Sequence, residues 1–194
     1  MPKETGDYDI VPLTPERAGL FMGLFDGEGF ADNPEWAGCY CRCYHFDDSM
    51  GEWDESDGAT NRPAACALIA EGTMRGWLAV RDGRAIGWLN AARKDSYAAF
   101  RGDDIPGKPG ESTGMITCFL VAPGVRGQGV ARALLERAIA GFREDGLEWV
   151  EAKPARNAAG PARNYHGPLK LYVDLNFALV GDFSERQHLV RLAL

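Results

Sequence analysis

Between Met115 and Asp145 the chain passes from a nearly all-apolar run, Met115 to Ala122, through a turn holding Gly127 and Gly129, straight into a stretch from about Gln128 to Asp145 with helical periodicity. The apolar run is the mark of a strand covered on both faces. In the stretch that follows, Val130, Leu134, Ala138 and Phe142 recur every four residues and give a helix one apolar face, with Arg132, Glu136 and Arg143 elsewhere. Gly146 stops it. Such a strand and helix, joined directly, predict an α/β arrangement in which the helix packs back on a sheet.

The flanking sequence supplies the rest of that sheet. Tyr8 to Leu13 reads as a first strand, and Thr14-Pro15 as a helix start with a hydroxyl N-cap, the helix running to about Phe25. A second helix is expected from about Asn61 to Met74. Trp77 to Ala91 forms a hairpin around Asp82-Gly83, a two-residue signal for a type I′ turn. Arg93 to Thr113 is polar, rich in Gly and Pro, and reads as a long loop. After the central helix come a strand at Leu147 to Ala152, a short helix at Pro168 to Leu175, and two strands between Phe177 and Leu194 split near Ser184. The order is β-α-α-β-β-β-α-β-α-β-β, one domain without internal repeats.

Composition removes several functional classes. A net charge of −7, from 21 Lys+Arg against 28 Asp+Glu, disfavours nucleic acid and anionic membrane surfaces as partners. No apolar run approaches the roughly 18 residues of a membrane helix, and Met1 to Asp9 lacks the apolar core of a secretion signal, so a cytoplasmic protein is expected. Five cysteines, three of them within Cys39 to Cys43, do not make a disulfide framework. Cys66 and Cys118 lie in apolar stretches and read as buried thiols.

The strand–turn–helix junction is also where chemistry is concentrated. It offers unpaired backbone N–H groups and the positive end of a helix dipole to an anion. Gly127 and Gly129 remove side chains that would block a phosphate, and Arg126 adds positive charge at the rim. The residues describe a pyrophosphate cradle, although a lone Gly-rich turn serves equally well as a simple connection. Arg126-x-x-Gly129-x-Ala131, with the apolar strand and Pro123 before it and the amphipathic helix after it, resembles motif A of the GNAT superfamily of N-acetyltransferases. The element order along most of the chain follows the same family. Leu171-Tyr172 followed by Asn176-Phe177 is similar to the Tyr and Gly-Phe of its last helix, with Asn in the place of Gly. Asn tolerates positive φ.

The resemblance implies an α/β (α+β) GNAT-type fold over residues 1–194: a mixed, mostly antiparallel central sheet flanked by helices and splayed where acetyl-CoA enters, with 27–58 and 93–113 as variable loops. It implies acetyl-CoA as donor, no metal, an amine of a small molecule or a protein as acceptor, direct transfer in a ternary complex, and a homodimer among the expected assemblies. The backbone of Phe119, Leu120 and Val121 would pair with the pantetheine arm. The amides of Gly127, Gln128, Gly129, Val130, Ala131 and Arg132 would take the phosphates, beside Arg126. Asn164, one residue from the family's usual Asn position, would bind pantetheine, and Tyr172 would protonate the departing thiolate. The strand has no Glu or His, and Gly160 stands where some relatives have a carboxylate, so the general base is unassigned; His166 is a candidate, as is a loop carboxylate acting through water, and a solvated surface histidine is the bland reading of His166. A non-catalytic acyl-CoA-binding domain is the alternative from another class.

Three further patterns compete for attention. Cys39, Cys41, Cys43 and His45 are all zinc-ligand types, but as a straight strand they would spread over about 20 Å. A curled loop could still bring three of them together on zinc, but a half-buried strand or a wall of the substrate loop is the expectation there. The acidic cluster Asp47, Asp48, Glu52, Asp54, Glu55 and Asp57 either attracts an amine or is a solvated loop. Gly102 to Lys108 imitates a P-loop, but Pro109 replaces the Ser or Thr that would bind magnesium. The run from Asp54 to Gly58 lacks the alternating oxygen ligands of an EF-hand.

Overall fold

A computed structural model of the protein describes residues 7–46, 53, 56–100, 112–157, 160 and 164–194. Seven strands form one sheet: β1 (Asp9–Pro12), β2 (Gly76–Arg81), β3 (Arg84–Arg93), β4 (Thr113–Val121), β5 (Trp149–Ala152), β6 (Ala178–Asp182) and β7 (His188–Ala193). Their order is β1-β2-β3-β4-β5-β7-β6. β4 and β5 are parallel; the other neighbours are antiparallel. Among the described residues four α-helices flank the sheet: α1 (Ala18–Asp26), α2 (Gly58–Ala70), α3 (Val130–Glu144) and α4 (Leu169–Val173). The expected element order and mixed, mostly antiparallel sheet are both present.

Strand alternation splits the apolar side chains between two layers. Leu78, Trp88 and Leu120 lie in register across β2, β3 and β4 and pack with Phe21, Phe25 and Ile69 of α1 and α2. Leu89 and Phe119, the next row, join Leu134, Ala138 and Phe142 of α3. The four-residue spacing read from the sequence is the buried stripe of α3. The helix sits close to the sheet because glycine permits it: a Cβ on Gly114 would lie 2.7 Å from the Phe142 ring. Gly146 (φ 73) ends α3 in a Schellman pattern, Gly146 N–H donating to the Arg143 carbonyl and Leu147 N–H to that of Phe142.

Several boundaries differ from expectation. Thr14 makes no side-chain cap bond; a 3-10 turn at Pro15–Arg17 precedes α1. α2 starts earlier than expected because the Asp57 carboxylate caps it, accepting from Thr60 N–H at 2.8 Å. β3 runs on to Arg93, and short 3-10 turns at Lys94–Ser96 and Ala98–Phe100 occupy the start of the expected loop. The Gly102 to Lys108 decoy, and Asp47, Asp48, Glu52, Asp54 and Glu55, lie outside the described residues. Among the described residues no helix is long and apolar enough to cross a membrane.

Candidate active site

The pairing of β4 with β5 ends at Ile116 and Ala152, whereas β4 continues along β3 to Val121. The sheet therefore splits beyond Ile116. Ala122 N–H donates to the Ile86 carbonyl, and antiparallel pairs alternate, so Phe119 and Val121 turn their amides away from β3 and toward the split. A cavity of about 1030 Å³ opens there.

One end of the cavity is the turn before α3. Gly127 (φ 76) and Gly129 (φ 89) are both left-handed, and a Cβ on either would meet nothing within 4 Å. Gly129 is the N-cap and brings no side-chain acceptor, so among the described residues no side-chain cap engages the first-turn amides of the 15-residue helix. Of the residues expected to hold the donor, Phe119, Leu120, Val121, Arg126, Gly127, Gly129, Val130, Ala131, Arg132 and Asn164 all line this one cavity. Gln128 does not; its side chain donates to the Gly124 carbonyl at 3.2 Å.

The arginines differ from the sequence picture. Arg126 is paired with both carboxylate oxygens of Asp32, and its Nε donates to the Val121 carbonyl at 3.0 Å. Arg132 pairs with Asp174 at 3.2 Å and with Glu136 at 3.6 Å. The positive charge at the rim is thus already matched by carboxylates. No local pattern connects Asp32 to Arg126, and sequence reasoning missed it.

Tyr172 lies behind the cavity wall, not on it. It is fully buried against Phe119 and Phe177, and its hydroxyl donates to the His166 carbonyl at 2.6 Å. Burial holds its pKa well above 10, so the phenol keeps its proton. Asn176 (φ 66) closes the helix in the left-handed conformation that its place beside Phe177 calls for.

The Asn164–His166 turn fills the mouth of the split from the β5 side. Phe119 N–H donates to the Tyr165 carbonyl at 2.6 Å, so that amide is already engaged. His166 is half-buried with Nδ1 2.8 Å from the Thr117 carbonyl and 3.3 Å from the Tyr44 hydroxyl. A solvated surface histidine is not what stands here. Burial lowers its pKa below 6.5 and the Lys153 charge lowers it further, against the raising effect of the Thr117 bond.

The cysteine-rich stretch is a curled wall of the same cavity. Tyr40 (φ 43) and Cys41 (φ 52) are consecutive left-handed residues, and Cys39, Cys41 and Cys43 all line the cavity, with Cys41 beside Cys118. The Trp88 indole donates to Cys41 Sγ at 3.2 Å. Burial pushes the Cys43 thiol up to about 12 and raises that of Cys41, so both are neutral at physiological pH. His45 is set apart against Tyr97, its ring centroid 5.0 Å away, and neither ring nitrogen has a hydrogen-bond partner among the described residues. Among the described residues no group of three or more His, Cys, Asp or Glu side chains could hold a metal ion. Asp57 of the acidic cluster lines the cavity, as do Asp32 and Glu35.

A sequence model of the Acetyltransferase (GNAT) family matches residues 35–166. No curated protein is significantly similar in sequence. Among solved structures, the GNAT domain of S. lividans PAT superposes with a TM-score of 0.65 at 18% identity, covering 99% of this chain and 93% of that one. An acetyltransferase from Thermus thermophilus gives 0.58 at 17% identity, covering 98% and 99%. A ribosomal-protein-alanine N-acetyltransferase from Brucella melitensis gives 0.56 at 16% identity, covering 96% and 99%. At these identities the structures share the fold.

Proposed function

The chain belongs to the GNAT family of acetyltransferases, and from that premise we propose that it moves the acetyl group of acetyl-CoA to a primary amine, by direct transfer with both substrates bound. The observation that carries this reading is the coincidence, in one cavity, of an open glycine turn at a helix N-terminus and the free edge of β4. The fit to a CoA donor is physical. A long, flexible, anionic molecule needs phosphate ligands at one end and backbone partners along its arm. The first-turn amides of α3 supply the former, and the amide of Val121 and the side chain of Asn164 the latter. Donor phosphates displace Asp32 from Arg126. Holding amine and thioester together supplies much of the rate by orientation alone.

Tyr172 is the candidate acid for the leaving thiolate, reached when its hydroxyl leaves the His166 carbonyl. That engaged hydroxyl also supports the second reading, a domain that binds acyl-CoA without turnover. Carboxylates of Asp32, Glu35 and Asp57 along the cavity favour a cationic acceptor, a small amine or a protein amine.

The test is isothermal titration with acetyl-CoA, beside an Arg126→Glu, Gly129→Glu double variant, followed by thiol release with spermidine and an alanine-headed tetrapeptide as acceptors. Binding that the double variant loses, with thiol release, is expected. Binding without release for either amine would favour the non-catalytic reading, and no binding by the parent would sink both.

A further inference from the structure

A second cavity, of about 150 Å³, lies on the far side of the Asn164–His166 turn from the donor cavity. Its walls include Met115 and Thr117 of β4, Gln187 just before β7, Phe183 and the His166 ring. The donor cavity begins one residue further along β4, at Cys118, and Tyr44 lines both. His166 lines the smaller cavity, while its neighbours Asn164 and Tyr165 line the donor cavity, so the two spaces flank one turn. Phe183 is exposed at the outer rim, which leaves a route in from solvent.

The hydrogen bonds around His166 fix its tautomer. A carbonyl oxygen only accepts, so at 2.8 Å from the Thr117 carbonyl Nδ1 must carry the hydrogen. Nε2 then bears the lone pair, as a proton acceptor requires. The same bond, with the Tyr44 hydroxyl at 3.3 Å, holds the ring in place.

We propose that His166 is the general base of the transfer and that the smaller cavity admits the amine-bearing end of the acceptor to it. The proposal rests on the acetyltransferase reading above. The acceptor nitrogen bonds to the thioester carbonyl carbon, Nε2 takes a proton from that nitrogen, the C–S bond breaks with its electron pair going to sulfur, and the thiolate takes the Tyr172 hydroxyl proton to leave as CoA thiol. The imidazolium then gives its proton to solvent and Tyr172 regains one. An acceptor that arrives as ammonium first gives its extra proton to solvent.

The cavity also indicates what kind of amine fits. Its volume is about five times the roughly 30 Å³ of a water molecule, room for a primary amine on an unbranched aliphatic stem. Phe100, Met115 and Ile116 supply apolar wall for the stem. Lys153, its Nζ 3.3 Å from the centre of the Phe183 ring and 4.4 Å from that of Phe100, puts a cation on the same wall. The carboxylates of the donor cavity draw the amine as a cation, and the Lys153 cation on this wall then disfavours its ammonium form and favours the neutral nucleophile. The titratable groups around the imidazole are Tyr44, Tyr165, Tyr172 and Lys153; burial keeps Tyr44 and Tyr172 protonated, so the imidazole governs the acidic range.

The experiment uses the full chain, n-butylamine as acceptor probe, and His166→Asn, whose side-chain N–H can still serve the Thr117 carbonyl. Acetyl-CoA affinity of the variant should stay within about threefold of the parent, while kcat/KM for n-butylamine falls about 100- to 10,000-fold, the range of a lost general base. In the parent, activity should fall as pH drops below 6.5 through the lowered imidazole pKa, and this limb should be absent from the variant. Imidazole in solution should restore part of the activity of His166→Ala. A parent that transfers acetyl to n-butylamine while His166→Asn keeps its rate and the same acidic limb overturns the proposal alone. Failure of the parent to bind acetyl-CoA overturns the underlying reading with it. Independently of turnover, n-butylamine should move the ring nitrogen resonance of His166 in a histidine-labelled sample, and an unmoved resonance at saturating probe overturns the subsite.

Discussion

Gly129→Ala separates the structural demand of the cradle from its binding role. Gly129 has φ 89, and nothing lies within 4 Å of a Cβ built there, so the substitution meets no steric clash. What it meets is the left-handed backbone, which costs an L-residue about 1–2 kcal/mol. For a chain of this size each kcal/mol moves Tm by about 2–4 °C, so the expected loss is about 2–8 °C. The methyl group also keeps a phosphate from the first-turn amides. Losing one hydrogen bond to a charged group, about 1.5–3 kcal/mol, weakens acetyl-CoA binding roughly 10- to 100-fold. Gly124→Ala is the control in the same turn, since Gly124 has no left-handed φ and equally open surroundings. It should leave both quantities unchanged. Differential scanning calorimetry and isothermal titration read the two effects separately. A lowered Tm with parental affinity would refute the cradle, and an unchanged Tm would refute the argument that the turn needs glycine.

The other expectations are more compact. Tyr172→Phe leaves the His166 carbonyl without its 2.6 Å partner, at about 1–3 kcal/mol of stability; turnover should fall while acetyl-CoA binding persists, and retained turnover would remove Tyr172 from the chemistry. Glu151→Gln removes the carboxylate shared by buried Lys94 (3.1 Å) and Arg191 (2.9 Å) where β5 meets β7. Breaking a buried pair this way costs about 3–5 kcal/mol in urea unfolding, and a change under 1 kcal/mol would contradict it. His45 has its pKa lowered to about 4 by burial, so the unfolded chain binds the extra proton between pH 6.5 and 4 and stability falls as pH drops through that window. The window is worth about 3 kcal/mol at most, and His45→Phe should flatten it in denaturant unfolding at pH 4.5 against pH 7.

Those parts of the molecule whose cause is local were legible in the residues. The apolar run of β4, the glycines after it and the four-residue stripe of α3 each follow from backbone sterics and periodicity within a few positions. The same holds for Asp82-Gly83, with φ 50 and 73, and for Asn176. What was not legible depends on distant partners. Arg126 looked like an open positive charge because Asp32, its partner, lies 94 residues away. His166 stands among polar and glycine residues, the pattern of a surface segment, and is half-buried only because Thr117 and Tyr44 arrive from elsewhere. Tyr40 and Cys41 are neither Gly nor Asn, so nothing in their types announced the left-handed bend among the cysteines that line the cavity. Asp57 was counted with its acidic neighbours although its carboxylate caps α2.

The position of the site follows from the one parallel pairing in the described sheet. Parallel neighbours need a crossover, and here the crossover is α3, so the helix must begin where β4 ends. β5 is only four residues long against nine in β4, and its register with β4 stops at Ile116. The free edge of β4 and the open N-terminus of α3 are therefore adjacent for a topological reason, before any side chain is chosen. Side chains then decide what the gap does: glycines at 127 and 129 leave one end open to an anion, and His166, tied to Thr117 on the same free edge, puts an uncharged imidazole at the other. Filling either end should abolish transfer without unfolding the sheet, because neither end contributes to the apolar rows that hold β2, β3 and β4 together.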